Sequence, residues 1–208
     1  MNADEILDVQ ARHWSDTIVR HGANYRGVDY GNAERVQLCF RQLTAIWKDR
    51  GSASVLDFGC GYGALLGYLR NHGFALSDYT GFDVSEEMIA HARQVNATVP
   101  GAVFTGDAGA LQPADYVICA GIFNVKLNTD VAAWHEHVVR TLDQVWSLCR
   151  RGMAFNILTS YSEPDKMRPD LYYADPCWFF DHCKRNLSRD VALIHDYGVY
   201  EFTMLVQK

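Results

Sequence analysis

VLDFGCGYGALL, residues 55–66, is the stretch that decides the fold. It begins with residues typical of a buried strand and ends with residues that open a helix, with Gly59, Gly61 and Gly63 between them. Glycine lets the backbone turn sharply and approach a ligand closely, and the start of a helix presents free N–H groups and a partial positive charge. We therefore expect a strand, a tight turn and a helix that together hold the polar part of a ligand.

Short apolar runs alternate with amphipathic stretches beyond this turn, which predicts right-handed βαβ units and a mainly parallel sheet. Near the end, two apolar runs are joined by only three residues, too few for a parallel crossover, so the last strand should run antiparallel. We predict an α/β fold, a doubly wound, mostly parallel seven-stranded sheet with one antiparallel strand. The predicted strands are 54–58, 79–84, 102–105, 115–121, 153–159, 190–195 and 199–206, and the predicted helices of this part are 62–72, 86–96, 131–149 and 176–185.

The chain has 208 residues, of which about half are hydrophobic, so one domain with one core is the expectation for residues 1–208. Two helices, 4–21 and 32–47, precede the first strand. We expect four parts, which are an N-terminal helical cap, a cofactor-binding core, a substrate lid and a C-terminal hairpin, at residues 1–50, 51–160, 160–185 and 186–208.

The charge and composition of the chain indicate which classes of partner to expect. The formal net charge of -6 and the sequence pI near 5.7 disfavour nucleic acid. No apolar run reaches the roughly 20 residues of a membrane span, and Asn2, Asp4 and Glu5 do not open a secretory leader. We expect a cytoplasmic protein without a membrane partner. The six cysteines form no C-x-x-C pair, which predicts reduced thiols rather than a zinc site.

The spacing Gly59-x-Gly61-x-x-Ala64 also satisfies the dinucleotide pattern G-x-G-x-x-A, so a nicotinamide-dependent reductase is an alternative. Asp57 separates the two interpretations, since its carboxylate would repel a pyrophosphate but suits the ammonium of a methionine moiety. Asp83 lies about 20 residues beyond the turn, where an acid accepts hydrogen bonds from ribose hydroxyls in either kind of site.

Four segments resemble motifs of the class I S-adenosylmethionine-dependent methyltransferases: DFGCGYG, GFDVSEEMIAHAR, GDAGAL and ADYVICAGIFNV, in the expected order over residues 50–160. The resemblance implies S-adenosylmethionine as cofactor and S-adenosylhomocysteine as product. It places the methionine end near the glycine turn, the ribose at Asp83, the adenine at Asp107 and Ala108, and the sulfonium at the loop after the fourth strand. The implied cofactor-binding residues are Asp57, Gly59, Cys60, Gly61, Asp83, Val84, Met88, Asp107, Ala108, Gly121 and Phe123.

The sequence says less about the methyl acceptor, which is the molecule that would receive the methyl group. The chain has GIFN, residues 121–124, where amino-methylating nucleic-acid enzymes of that family carry N/D-P-P-Y/F, which favours a small-molecule acceptor. We expect methyl transfer to oxygen, nitrogen or carbon of a metabolite, natural product or sugar-type intermediate. In the lid, Tyr172, Tyr173 and Trp178 would wall a pocket, with Lys166 or Arg168 meeting an anionic group; alternatively, these aromatic residues only pack the loop on the body.

Three residues are candidates for a catalytic base. Tyr161 follows the fifth strand, His135 lies on the helix after the fourth, and His195 stands beside Asp196. Each histidine has a purely structural alternative, at the protein surface or at the sheet edge. No acids cluster near the fourth strand, so we expect no metal. A non-catalytic, cofactor-binding partner subunit is a further alternative, and the sequence leaves monomer or homodimer open.

Overall fold

A computed structural model of the protein describes residues 1–208, and its central element is the strand that precedes the glycine turn. The strands are β1 (Ala53–Phe58), β2 (Leu76–Phe82), β3 (Ala102–Thr105), β4 (Ala114–Cys119), β5 (Cys149–Thr159), β6 (Tyr173–Ala174), β7 (Asp190–Ile194) and β8 (Glu201–Gln207). The α-helices are α1 (Ala3–His21), α2 (Ala33–Leu43), α3 (Ala64–Asn71), α4 (Glu86–Val95), α5 (Val131–Leu148) and α6 (Pro176–Asn186). Short 3₁₀ helices occur at Tyr25–Val28, Thr44–Ile46, Ala108–Ala110 and Pro164–Lys166.

The strands form one sheet in the order β3-β2-β1-β4-β5-β8-β7. β8 is antiparallel to both of its neighbours, β5 and β7, and the other pairs are parallel. The predicted α/β fold with one reversed strand is confirmed. The two-residue strand β6, which pairs with the end of β5, is too short to leave a pattern in the sequence.

β5 and β2 differ most from their predicted bounds, and the other predicted strands agree with the structure to within two residues at each end. β5 begins at Cys149 instead of Met153, because the exposed side chains of Arg150 and Arg151 interrupt the apolar pattern while the backbone already pairs with β4. β2 ends at Phe82, so Asp83 lies just beyond the strand, at the edge of the sheet where a ligand can reach it.

The second helix is shorter than predicted. α2 ends at Leu43 and a 3₁₀ turn continues to Ile46, rather than one α-helix reaching Trp47. The Thr44 hydroxyl donates a 2.7 Å hydrogen bond to the carbonyl oxygen of Phe40, an interaction that competes with regular helix geometry.

The sheet is covered on both faces. α5 and α6 pack on one face, and α2, α3 and α4 pack on the other. The connection from β3 to β4 carries only a 3₁₀ turn, so no crossover helix lies beside α5. Ile6 of α1 belongs to the same buried cluster as Phe58, Phe82 and Leu111. The N-terminal helix therefore supplies packing on the face where the connection is short.

No helix combines the length and apolar character needed to cross a membrane. No group of three or more His, Cys, Asp and Glu side chains is placed to hold a metal ion. All six cysteines are free thiols, and Cys177 is the exposed one.

Candidate functional site

A cavity of about 370 Å³ opens at the carboxyl ends of β1, β2 and β4. Between β1 and β4 the order of the strands in the sheet reverses, and open α/β sheets bind ligands at such a position. Eight of the eleven predicted cofactor residues line the cavity: Gly59, Gly61, Asp83, Val84, Met88, Ala108, Gly121 and Phe123. Asp57, Cys60 and Asp107 do not.

The glycine turn is built by left-handed backbone conformations. Gly59, Gly61 and Gly63 have φ values of 80°, 52° and 78°. The N–H groups of Gly59 and Cys60 both donate to the carbonyl oxygen of Phe82, at 2.7 and 2.8 Å, which ties the turn to the end of β2. A Cβ atom on Gly59 would lie 2.2 Å from Cγ2 of Ile122. Glycine at this position therefore allows the loops after β1 and β4 to meet in the cavity wall.

Asp83 follows β2 and is 7% exposed. Its two carboxylate oxygens accept hydrogen bonds from the N–H groups of Gly61 (2.9 Å) and Ser85 (3.0 Å). Burial raises the pKa of Asp83 to about 6 against the opposing effect of these hydrogen bonds. Each oxygen retains a further lone pair, so the side chain is held rigidly and can accept hydrogen bonds from a diol. Ser85 caps α4 by accepting a hydrogen bond from the N–H of Met88.

Asp57 is positioned differently from the expectation that it meets an ammonium group. It is 2% exposed and accepts a 2.6 Å hydrogen bond from the Tyr79 hydroxyl. Side chains alternate along a strand, so Asp57 shares the face of Val55, which packs with α2, α3 and α4, and lies outside the cavity wall. Burial raises the pKa of Asp57 to about 7. No motif or spacing in the sequence indicates this tyrosine partner on the next strand.

Cys60 and Asp107 have local structural contacts. Cys60 is buried in the cluster under α2, α3 and α4. Asp107 is exposed and caps the 3₁₀ turn after β3 by accepting a 2.8 Å hydrogen bond from the N–H of Gly109. Ala108, the next residue, does line the cavity.

The predicted catalytic residues lie outside the cavity wall. Tyr161 is 68% exposed, and its ring lies 6.0 Å from the ring of the exposed His195. His135 bonds through Nδ1 to the Tyr172 hydroxyl at 2.6 Å, and its ring lies 4.3 Å from Trp178. Neither the Tyr161–His195 pair nor the His135–Tyr172 pair contributes to the cavity wall at the ends of β1, β2 and β4.

The predicted lid, residues 160–185, supplies no residue of the cavity wall. Tyr172 is buried, and the rings of Tyr172 and Trp178 each pack against His135 of α5, as in the alternative in which these aromatic residues pack on the body. Arg168 pairs with Asp170, and Lys166 with Asp165. None of these side chains is directed to the site.

Two helices, α1 and α5, contribute wall residues that belong to none of the sequence motifs. α1 presents Ala3, Leu7, Gln10 and Trp14, and α5 presents His137, Arg140, Thr141 and Gln144. Both sets follow helical spacing along one face, a signal that becomes informative only once the position of each helix is known.

Side-chain contacts hold α1 in place beside the cavity. Gln10 donates to the carbonyl oxygen of Val125 at 2.8 Å, and Ser15 contacts Ser85 and Glu87 at the start of α4. The helix is thereby attached to the loop after β4 and to the element that follows Asp83. The cavity is thus walled by the N-terminal segment as well as by the strand ends.

A buried polar cluster lies behind Gly121. The N–H of Gly121 donates to Oδ1 of Asn156 at 2.8 Å, and the amide nitrogen of Asn156 donates to Glu201. Arg35 forms a 2.7 Å ion pair with Glu201, and the Cys39 thiol donates to the other carboxylate oxygen at 3.4 Å. These contacts join the loop after β4 to α2, β5 and β8.

Comparisons with known proteins agree on one kind of domain. A family model described as a methyltransferase domain matches residues 55–145. A Mycobacterium tuberculosis protein named "Putative methyltransferase Rv1506c" is 53% identical over 155 residues, which are 74% of this chain and 93% of that protein.

Two solved structures share the fold at low sequence identity. A complex of DhpI with SAM and HEP has a TM-score of 0.65 and 13% identity, covering 96% of each chain. The N-methyltransferase NodS from Bradyrhizobium japonicum, solved with S-adenosyl-l-homocysteine, has a TM-score of 0.61 and 14% identity, covering 94% of this chain and 98% of its own.

Proposed function

The chain belongs to the class I S-adenosylmethionine-dependent methyltransferases, and on that premise we propose that it methylates an oxygen, nitrogen or carbon atom of a small molecule bound in the cavity at the strand ends. The observation that carries the proposal is the position of Asp83 in the same cavity wall as Gly59, Gly61 and Gly121. The DhpI and NodS complexes, which hold SAM and S-adenosyl-l-homocysteine on the same fold, support this choice of cofactor.

The residues present fit the cofactor. Asp83 has two fixed carboxylate oxygens for the two ribose hydroxyls. Val84 and Ala108 are apolar residues of the same wall and would contact the adenine. When bound, S-adenosylmethionine supplies a methyl group on positively charged sulfur, and transfer leaves the electron pair of the broken carbon–sulfur bond on S-adenosylhomocysteine.

The chain's own contribution is positioning and exclusion of water. Methyl transfer is an in-line displacement, so holding the reacting atoms in line accounts for much of the catalysis. Phe58 and Phe82, whose rings lie 4.9 Å apart, and Ile122 give the cavity apolar walls. The rigid turns at Gly59 and Gly121 allow the backbone to approach the ligands closely.

A small-molecule acceptor is supported by the size and cover of the cavity. Its volume of about 370 Å³ lies within the range of small-ligand sites, roughly 300–1,000 Å³. α1 forms one wall of the cavity and is attached both to the loop after β4 and to the start of α4. Because this helix covers the site, a macromolecular acceptor would have little room to enter. The dinucleotide-reductase alternative has no support from the family to which the chain belongs.

Thermal unfolding tests the cofactor assignment. The midpoint is measured with S-adenosylmethionine, S-adenosylhomocysteine and NADPH for the wild-type protein, Asp83→Asn and the control Asp78→Asn, which alters an exposed acid on β2. A ligand at 100 times its Kd adds about 2.7 kcal/mol, a shift of roughly 5–10 °C for a chain of this size. Both sulfur nucleosides should shift the wild type and the control, and neither should shift Asp83→Asn. A shift with NADPH alone would overturn the proposal.

The acceptor is identified in a second step. The protein is incubated with S-adenosylmethionine and a panel of small hydroxyl, amine and carbon-acid compounds, and S-adenosylhomocysteine formation is measured. Turnover on at least one compound supports an enzyme. Strong cofactor binding without turnover on any of them favours the non-catalytic partner alternative.

A further inference from the structure

The turn after β4 is held by a buried asparagine side chain. The N–H of Gly121 donates to Oδ1 of Asn156 at 2.8 Å, and Asn156 is completely buried. Other side-chain contacts hold later residues of the same loop. The Asn124 side chain accepts from a backbone N–H of β5 at 2.9 Å, and Trp134 donates to the carbonyl oxygen of Phe123. Asn156 is therefore the side chain that fixes the backbone at Gly121.

The position of this turn sets the shape of the cavity. Residues 120–123 all belong to the cavity wall. Ile122, the residue after Gly121, reaches the glycine turn after β1, where a Cβ atom on Gly59 would lie 2.2 Å from Cγ2 of Ile122. A change in the backbone at Gly121 would therefore move the part of the wall where the two turns meet.

Glu201 determines which way the Asn156 amide points. An asparagine side chain offers a carbonyl oxygen on one side and an NH₂ group on the other, and its orientation follows from its partners. A carboxylate accepts hydrogen bonds and donates none, so Glu201 binds the NH₂ group of Asn156. The carbonyl oxygen of the amide then faces the N–H of Gly121. The reversed amide would place two donors against each other at Gly121 and two acceptors against each other at Glu201.

The rest of the cluster holds the Glu201 carboxylate in this role. Glu201 is 2% exposed, Arg35 donates to its Oε1 atom at 2.7 Å, and the Cys39 thiol donates to its Oε2 atom at 3.4 Å. The Tyr30 hydroxyl packs against the turn itself, since a Cβ atom on Gly121 would lie 2.8 Å from the Tyr30 oxygen. The carboxylate is thus surrounded by donors, and the turn has little space in which to move.

We propose that Glu201 and Asn156 are positioning residues of the cofactor site. The charge of Glu201, held by Arg35, orients the Asn156 amide, and this amide keeps the Gly121 turn in the conformation that binds the cofactor. Neither Glu201 nor Asn156 belongs to the cavity wall, so both act through Gly121. The inference rests on the proposed function and adds the residues that keep the wall in its binding shape.

An exchange of donors and acceptors tests the proposal. In Glu201→Gln, Arg35 binds the remaining carbonyl oxygen, so the new NH₂ group faces Asn156 and favours the reversed Asn156 amide. The Kd of S-adenosylhomocysteine, measured by calorimetry below the unfolding midpoints, should rise by about tenfold, because the buried N–H of Gly121 loses its acceptor. Adding Asn156→Asp places a donor opposite an acceptor at both contacts and keeps the number of charges. The double variant should bind within about threefold of the wild type.

Thr203→Val is the matched control. Thr203 is completely buried, lies on β8 like Glu201 and is paired with Asn156 in the sheet, but its hydroxyl contacts Tyr197 at 2.9 Å. The control should lose stability and keep the Kd of the wild type. A loss of affinity in Thr203→Val equal to that in Glu201→Gln would show that any weakening of β8 disturbs the site, and the specific role of Glu201 and Asn156 would be wrong.

NMR of protein labelled with ¹⁵N-glycine follows the turn directly and without ligand. The chain has 16 glycines, and the signal of Gly121 is the one absent from Gly121→Ala. It should shift in Glu201→Gln, return towards the wild-type position in the double variant and stay in place in Thr203→Val. A Gly121 signal that is the same in Glu201→Gln and the wild type would overturn the inference.

The binding results separate this inference from the proposed function. Absence of S-adenosylhomocysteine binding to the wild type would overturn the proposed function. If the wild type binds but Glu201→Gln binds equally well, or the double variant binds no better than Glu201→Gln, only the inference is wrong. If Glu201→Gln does not fold, a double variant that folds and binds supports the inference, and a double variant that does not fold contradicts it.

Discussion

Tyr79 donates a 2.6 Å hydrogen bond to Asp57 across the β1–β2 pair, on the face of the sheet that packs with α2, α3 and α4. The two residues are diagonal neighbours, since Asp57 is paired with Gly81 and Val55 with Tyr79. Tyr79 is 3% exposed and Asp57 2% exposed. An acid that opens the glycine motif is thereby part of the protein interior instead of the ligand-binding wall.

The first prediction concerns the pH dependence of stability. Burial raises the pKa of Asp57 to about 7 in the folded protein, against about 3.9 in an unfolded chain. Between these values the folded state binds more protons, so the free energy of unfolding falls as the pH rises from about 4 to 7. Asp57→Asn removes this loss while keeping an acceptor for Tyr79. We expect it to be more stable than the wild type at pH 8, by about 1–2 kcal/mol.

Urea denaturation at pH 5 and pH 8 measures this difference. The gain should shrink or disappear at pH 5, where wild-type Asp57 is already protonated. Asp78→Asn, an exposed change on the same sheet, should show no such pH dependence. Binding of S-adenosylhomocysteine should persist in Asp57→Asn, and its complete loss would contradict the placement of Asp57 outside the cavity.

The second prediction concerns the pH dependence of cofactor binding. The pKa of Asp83 is raised to about 6 by burial, and ribose hydroxyls donate best to the charged carboxylate. Below about pH 6 the carboxylate takes up a proton, so the Kd of S-adenosylhomocysteine should rise by up to about tenfold per pH unit. Calorimetric titrations from pH 5 to 8 measure this slope. A pH-independent Kd would mean that the ribose does not use this carboxylate.

The third prediction compares two glycines that have nearly the same left-handed backbone conformation. Gly121 and Gly198 have φ values of 74° and 72°, and a Cβ atom on Gly198 would meet nothing within 4 Å. Gly198→Ala should lose about 1–2 kcal/mol of stability because of its positive φ, and Gly121→Ala should lose more, because its Cβ atom would also lie 2.8 Å from the Tyr30 oxygen. Only Gly121→Ala pushes against Tyr30, so only it should weaken S-adenosylhomocysteine binding, by about tenfold or 1.4 kcal/mol. Equal Kd values for the two variants would argue against a ligand at the Gly121 turn.

The fourth prediction concerns the ion pair behind the site. Arg35→Met leaves the buried carboxylate of Glu201 without its counter-charge, which typically costs about 3–5 kcal/mol. Adding Glu201→Gln removes that charge, so the double variant should be more stable than Arg35→Met alone. Urea denaturation of the two single variants and the double variant gives the coupling between the residues. Additive losses would show that the pair contributes no interaction of its own.

The sheet could be predicted from the sequence because its signals are local. The turn at Gly59 to Gly63, the alternation of apolar runs and helices, and the short connection between the last two strands each depend on neighbouring residues. That connection is predicted at residues 196–198 and spans residues 195–200 in the structure, which is still too short for a parallel crossover. The strands at 102–105 and 54–58 accordingly match β3 and β1 to within one residue. The two-residue strand β6 left no such signal.

The candidate site could be predicted only in part. Asp83 and the glycines follow directly from strand ends, but Tyr79 lies 22 residues from Asp57, and Arg35 lies 166 residues from Glu201. Pairing at such separations depends on how strands and helices pack, which no local spacing records. Tyr30 is a further case, because its contact with Gly121 joins residues 91 positions apart in the chain.

The position of β8 affects how the protein is made. β8 follows every other strand in the chain, yet it lies between β5 and β7 in the sheet. Until it has been synthesised and inserted, the eleven residues of β5, most of them buried in the finished protein, present an unpaired edge. Exposed apolar edges pair with other chains. Nascent chains that stop before Glu201 should therefore self-associate on the ribosome or recruit chaperones, and aggregation during synthesis is expected to limit the yield of variants that weaken this last strand.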